Sequence, residues 1–138
     1  MQGHSGGVRG VTLSADGRLL ASGGLDGIVR LCEAPSGRPV ATMQGRTGGV
    51  RGVTLSADGR LLASGSWDGT IRLWEARSGQ LLGTLQGHTS GVWGVALSAD
   101  GLLLASGSED GTVRLWDASS GACLQVLRSA RDVAGLAE

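Results

Sequence analysis

Three copies of one short pattern, spaced 42 residues apart, constrain this chain more than any local propensity does. Leu62–Glu75 reads L-A-S-G-S-W-D-G-T-I-R-L-W-E, Leu20–Glu33 reads L-A-S-G-G-L-D-G-I-V-R-L-C-E, and Leu104–Asp117 reads L-A-S-G-S-E-D-G-T-V-R-L-W-D. Each says strand, tight turn, strand, with the Asp-Gly pairs at Asp26, Asp68 and Asp110 as the turns. A repeat of this length marks an array of supersecondary units, none of which buries its apolar surface alone.

Cutting at the glycine before each first strand divides residues 1–128 into Gly3–Gln44, Gly45–Gln86 and Gly87–Arg128. Each unit is predicted to hold four short strands. The first is Val8–Leu13, with copies at Val50–Leu55 and Val92–Leu97, where apolar and small or polar residues alternate. Turns follow at Asp16-Gly17, Asp58-Gly59 and Asp100-Gly101, a pair suited to positive φ angles. The second strand is Leu19–Ser22 and its copies, and the third is Ile28–Cys32, Thr70–Trp74 and Thr112–Trp116. The fourth is Val40–Met43, Leu81–Leu85 and Cys123–Leu127. Pro39 lacks an N–H donor, which places the fourth strand at a sheet edge. Ser129–Glu138 reads either as the degraded first strand of a fourth repeat or as a short helix capped by Ser129.

Composition narrows the functional classes. With no Phe or Tyr and 26 Gly, core volume comes from Leu, Val, Ala and the four Trp. Twelve Lys and Arg balance twelve Asp and Glu, which argues against nucleic acid as a partner. No apolar run approaches the roughly 20 residues of a membrane span, and the first residues form no secretory signal. Cys32 and Cys123, at unrelated repeat positions, suggest neither a disulfide framework nor a metal site. The expectations are a cytoplasmic protein without cofactor or metal.

The residues Gly87-His88, Ser106, Asp110, Thr112, Trp116 and Asp117, repeated in register, resemble the WD40 repeat family. That resemblance implies an all-β chain of four-stranded antiparallel blades in a β-propeller, used as a platform for protein or peptide partners. It also implies a hydrogen-bonded tetrad in each blade: His88, Ser106, Asp110 and Trp116 in the third repeat. Ser64, Asp68 and Trp74 match in the second, where Arg46 replaces His. His4, Ser22 and Asp26 match in the first, where Cys32 replaces Trp. A looser first blade, or a cavity beside Cys32, is expected, while Arg46 could still donate to Asp68.

His88, Ser106 and Asp110 are also the residue types of a nucleophile triad. A buried polar network that satisfies its own hydrogen bonds accounts for them without catalysis, so the chain is expected not to be an enzyme. Positions where the repeats disagree are more informative. Arg9 and Arg51 become Trp93, and Leu25 and Trp67 become Glu109. By resemblance both positions lie on the face used for partners, where an exposed Trp flanked by Arg suits an interface centre. The bland reading is plain surface substitution. Arg30, Arg72 and Arg114 recur in the third strand as expected structural ion-pair or hydrogen-bond donors.

Three blades fall short of the roughly 4–8 of a closed propeller. The end sheets then expose apolar faces that monomers rarely tolerate. Head-to-tail self-association follows, with a six-bladed homodimer favoured over a nine-bladed homotrimer, and an excised fragment of a longer propeller as the third reading. The terminal strand exchange that latches many such rings is not expected, because each repeat supplies its own four strands. Two alternatives remain: a propeller binding a ligand, such as an anion at Arg9 and Arg51, in its channel, or a structural array with no partner but itself.

Overall fold

The computed structural model describes residues 6–44 and 49–128. His4, Arg46 and the tail Ser129–Glu138 lie outside the described residues. The described residues form twelve strands: β1 (Val8–Leu13), β2 (Leu19–Gly24), β3 (Ile28–Glu33), β4 (Pro39–Gln44), β5 (Val50–Leu55), β6 (Leu61–Ser66), β7 (Ile71–Glu75), β8 (Gln80–Leu85), β9 (Val92–Leu97), β10 (Leu103–Ser108), β11 (Val113–Asp117) and β12 (Cys123–Leu127). They make three antiparallel sheets in simple sequential order, β1 to β4, β5 to β8 and β9 to β12. Each sheet is one blade. The first strands β1, β5 and β9 lie side by side, and β4, β8 and β12 are edges. Pro39 opens β4, where a missing N–H costs no ladder bond.

The turns differ from the two-residue Asp-Gly hairpins expected. Among the described residues only glycines have positive φ, including Gly69 at 86° and Gly111 at 86°. Gly69 N–H bonds the Ser66 carbonyl at 3.2 Å, and Ser66 N–H bonds the Thr70 carbonyl at 3.1 Å. This is a type I turn closed by a left-handed glycine, not a turn with two positive φ angles. Thr70 is drawn out of β7 because Asp68 Oδ1 accepts its N–H at 2.9 Å and its hydroxyl at 2.5 Å. Thr112 bonds Asp110 in the same way, so β7 and β11 start one residue later than predicted, while β3 starts at Ile28 as expected. At the first turns, Ser14, Ser56 and Ser98 each donate a hydroxyl to the aspartate two residues on, at 2.7, 2.7 and 2.6 Å. That bond, with the backbone N–H of the second residue after each aspartate, holds Asp16, Asp58 and Asp100 below the ordinary carboxylate range.

The cores lie between blades. Leu19, Ala21, Val29, Leu31 and Met43 of the first blade meet Val50, Val53, Leu55 and Leu62 of the second. Ala63, Ile71, Leu73 and Leu85 of the second meet Val92, Leu104 and Trp116 of the third. Full burial of each such aliphatic side chain contributes about 1.5–3 kcal/mol. The approach is close enough to exclude any side chain at Gly65, where a Cβ would stand 2.6 Å from Val92 Cγ1; Gly23 meets Val50 in the same way.

Among the described residues the two end faces have no such neighbour. Val8, Val11 and Leu13 of β1 are exposed, as is Leu103 on the third blade. A groove of about 400 Å³ crosses that last face, lined in part by Val95, Ala105, Gly107 and Val113.

Candidate interaction face on the first strands

The third blade holds the complete tetrad. Trp116 Nε1–H donates to Ser106 Oγ at 2.9 Å, and Ser106 Oγ stands 2.7 Å from His88 Nε2. His88 Nδ1 is 3.0 Å from Asp110 Oδ2, which also accepts the Thr89 N–H at 3.0 Å. An ionised Asp110 only accepts, so the ring proton sits on Nδ1 and the Ser106 hydroxyl donates to Nε2. Burial pushes the Asp110 carboxyl up, but the bonds from Thr112, Thr89 and His88 outweigh it and hold the group well below the usual carboxylate range. The chain of bonds ties the segment before β9 to β10, to the β10–β11 turn and to β11.

This is triad connectivity without a triad's access. Ser106 is 1% exposed, and its oxygen already accepts from the indole and donates to the imidazole. An attacking hydroxyl needs a free approach to substrate.

In the second blade Trp74 Nε1–H donates to Ser64 Oγ at 3.0 Å. With Arg46 outside the described residues, the cation seen beside Asp68 is Arg72, at 3.7 Å. In the first blade Asp26 accepts the Ile28 N–H at 3.1 Å, but Ile28 has no hydroxyl to match Thr70 and Thr112. Cys32 is buried among its neighbours. The three arginines expected to be donors divide. Arg72 pairs with Asp68, whereas the buried Nε atoms of Arg30 and Arg114 have no hydrogen-bond partner among the described residues. Arg114 reaches Cys123 Sγ at 3.9 Å through Nη1 instead.

The positions where the repeats disagree come together at one place. In β1 the pairing with β2 steps from Val8 to Gly10, in β5 the pairing with β6 steps from Val50 to Gly52, and in β9 the pairing with β10 steps from Val92 to Gly94. Arg9, Arg51 and Trp93 are therefore the extra residues of three β-bulges. A bulge re-aims the side chain it carries. The partner positions are pinned by backbone bonds: Leu25 N–H to Gly7 at 2.9 Å, Trp67 N–H to Gly49 at 3.1 Å and Glu109 N–H to Gly91 at 2.9 Å.

The result is an aromatic sandwich. The Arg51 guanidinium lies 3.4 Å from the centre of the Trp67 ring and 4.1 Å from that of Trp93. It also pairs with Glu109 across the junction between the second and third blades. Each cation–π contact contributes about 0.5–1 kcal/mol, and the surface pair adds about 0–1 kcal/mol. The sequence pointed to an exposed Trp flanked by Arg; the structure has the reverse, an Arg between two Trp. Arg9, Arg51, Trp67 and Trp93 line a groove of about 310 Å³. Leu25 borders it beside Gly49. Arg9 is exposed and has no carboxylate partner among the described residues. A larger groove, about 560 Å³, opens between β8 and Ser119–Gly121, where blades diverge outwards; its walls carry no ionisable side chain.

Four-stranded antiparallel sheets stacked through their faces, with their first strands side by side, are blades of a propeller. A model of the family described as WD domain, G-beta repeat matches residues 1–33, 37–75 and 79–117, and the chain belongs to the WD40 family. No curated protein matches it significantly. Among solved structures it is similar to the RRP9 WD40 repeats, with 28% identity and a TM-score of 0.87 over 95% of this chain and 41% of that one. U3-55K gives 28% identity and a TM-score of 0.87, over 93% of this chain and 41% of that one. A chain of a Mitotic Checkpoint Complex gives 35% identity and a TM-score of 0.83, over 93% and 39%. The chain thus spans about two fifths of the length of these neighbours.

Proposed function

We propose that this chain is a non-enzymatic protein-interaction scaffold that closes head-to-tail with a second copy into a six-bladed propeller. WD40 membership supports the scaffold role, and one neighbour is a chain of a multi-protein complex. The observation that carries closure is the pattern of empty space at glycines. A Cβ at Gly65 meets Val92 and one at Gly52 meets the β9 backbone at 3.1 Å, whereas nothing lies within 4 Å at the matching Gly107 and Gly94. At the other end, Gly59 meets Leu19 at 2.9 Å and the matching Gly17 meets nothing. Gly107, Gly94 and Gly17 are thus open where an adjacent blade fills the matching positions at the internal junctions. The same packing, applied once more, sets β1 of the second copy into the groove on the third blade. Two copies give a blade number within the usual range of about 4–8, and a head-to-tail contact must close or run on.

Gly107→Leu tests this. The position is open within one chain and blocked at the seam. Association stabilises by mass action, so the wild-type Tm should rise with protein concentration while the variant's stays constant with native circular dichroism. A wild-type Tm independent of concentration overturns closure.

A further inference from the structure

We propose that the closed ring binds acidic peptide segments at two sites, each built from Arg9 of one copy and Trp93 of the other. This rests on the head-to-tail assembly proposed above. Inside one chain, the residue on the β5 bulge stands beside the residue on the β9 bulge: Arg51 stacks on Trp93. Repeating that step at the seam places Trp93 of one copy beside Arg9 of the next. The charge is not cancelled there. Glu109 is taken by Arg51 within its own chain, and the position that would offer Arg9 a carboxylate from the next blade is occupied by Trp67. Arg9 therefore keeps an open guanidinium fork, which suits a carboxylate held through two parallel bonds. Trp93, 58% exposed, supplies an apolar wall beside it.

The ligand chemistry follows from the surroundings. Each site has one uncompensated cation and an indole face. With no net charge on the chain, it lacks the basic stripe that a nucleic-acid backbone requires. A short peptide bearing Asp or Glu beside an apolar residue matches both walls.

Fluorescence anisotropy with a labelled peptide containing four consecutive Glu, and its Gln counterpart, tests the site on the full chain, with sedimentation run on the same samples. The Glu peptide should bind, and weaken as salt is raised. Arg9→Ala should weaken it roughly tenfold or more, Arg9→Lys less, and Trp93→Ala comparably to Arg9→Ala. Gly107→Leu, which blocks the seam, should abolish the composite site while leaving the blades folded. Equal binding of the Gln peptide, equal binding of a single-stranded oligonucleotide, or full binding by monomeric Gly107→Leu overturns the proposal. A wild-type protein of doubled mass that ignores the Glu peptide overturns the peptide site alone; a wild-type protein of single mass overturns the assembly and the site with it.

Discussion

β1 and β5 have the same sequence and opposite fates. Val8–Gly23 repeats residue for residue as Val50–Gly65. Yet Val8, Val11 and Leu13 are 52, 66 and 57% exposed, while Val50, Val53 and Leu55 are 3, 8 and 8% exposed. Both strands pair with their second strands in the same register, including the bulge. What differs is the neighbour. β5 has Leu19, Ala21, Val29 and Leu31 of the preceding blade against it, and β1 has none among the described residues. Hydrophobic burial is thus a property of the stack, and an identical segment is core or surface according to whether a blade precedes it.

Substituting the twins breaks the comparison most sharply. Val53→Asp places an unpaired charge between the first two blades and should cost about 3–5 kcal/mol in urea unfolding, enough to unfold the chain. Val11→Asp should change the stability of a single chain by less than about 0.5 kcal/mol while preventing association. Similar losses from both at concentrations where each is a monomer would show that β1 is packed within its own chain.

The intact tetrad gives the next largest effect. Trp116→Cys, which puts into the third blade what the first already has, should cost about 3 kcal/mol through lost volume and the lost bond to Ser106. Chemical denaturation measures it, and a cost below about 1 kcal/mol would make the tetrad incidental.

Asp110 sharpens the contrast through pH. Its folded carboxyl is held below the unfolded value of 3.8, so its contribution is complete above that value and is lost as pH falls below it. The Tm should drop on acidification through this window. Asp110→Asn should lower the Tm at neutral pH and flatten the acid slope; an unchanged slope would assign acid sensitivity to other carboxylates.

Glu109→Gln is the smallest change. It releases Arg51 from its partner across the second junction and should cost about 0.5 kcal/mol, vanishing in high salt. A salt-independent loss would point to packing rather than charge.

Much of this was legible in the sequence because the period is strict. Three copies of Ser-Ala-Asp-Gly and Ser-Gly-x-Asp-Gly place the hairpins, and Pro39 marks the edge strand. The turn type was not legible, since Asp-Gly serves both a two-residue hairpin and a longer loop in which only the glycine is left-handed. Nor were the bulges. V-R-G-V and V-W-G-V alternate like any strand, and only the pairing with β2, β6 and β10 shows that Arg9, Arg51 and Trp93 have no opposite residue. The six residues at which the repeats disagree, Arg9, Arg51, Trp93, Leu25, Trp67 and Glu109, nonetheless lie around one groove. Missing was the order of stacking, because whether Arg sits between Trp or Trp between Arg depends on which blade follows which.

The most direct measurement is the native mass of the unmodified chain in solution at micromolar concentration. A closed six-bladed dimer has twice the 13.9 kDa of one chain and gives a sharp, concentration-stable peak. A stable, soluble species at 13.9 kDa, with Val8, Val11 and Leu13 open to water, contradicts it.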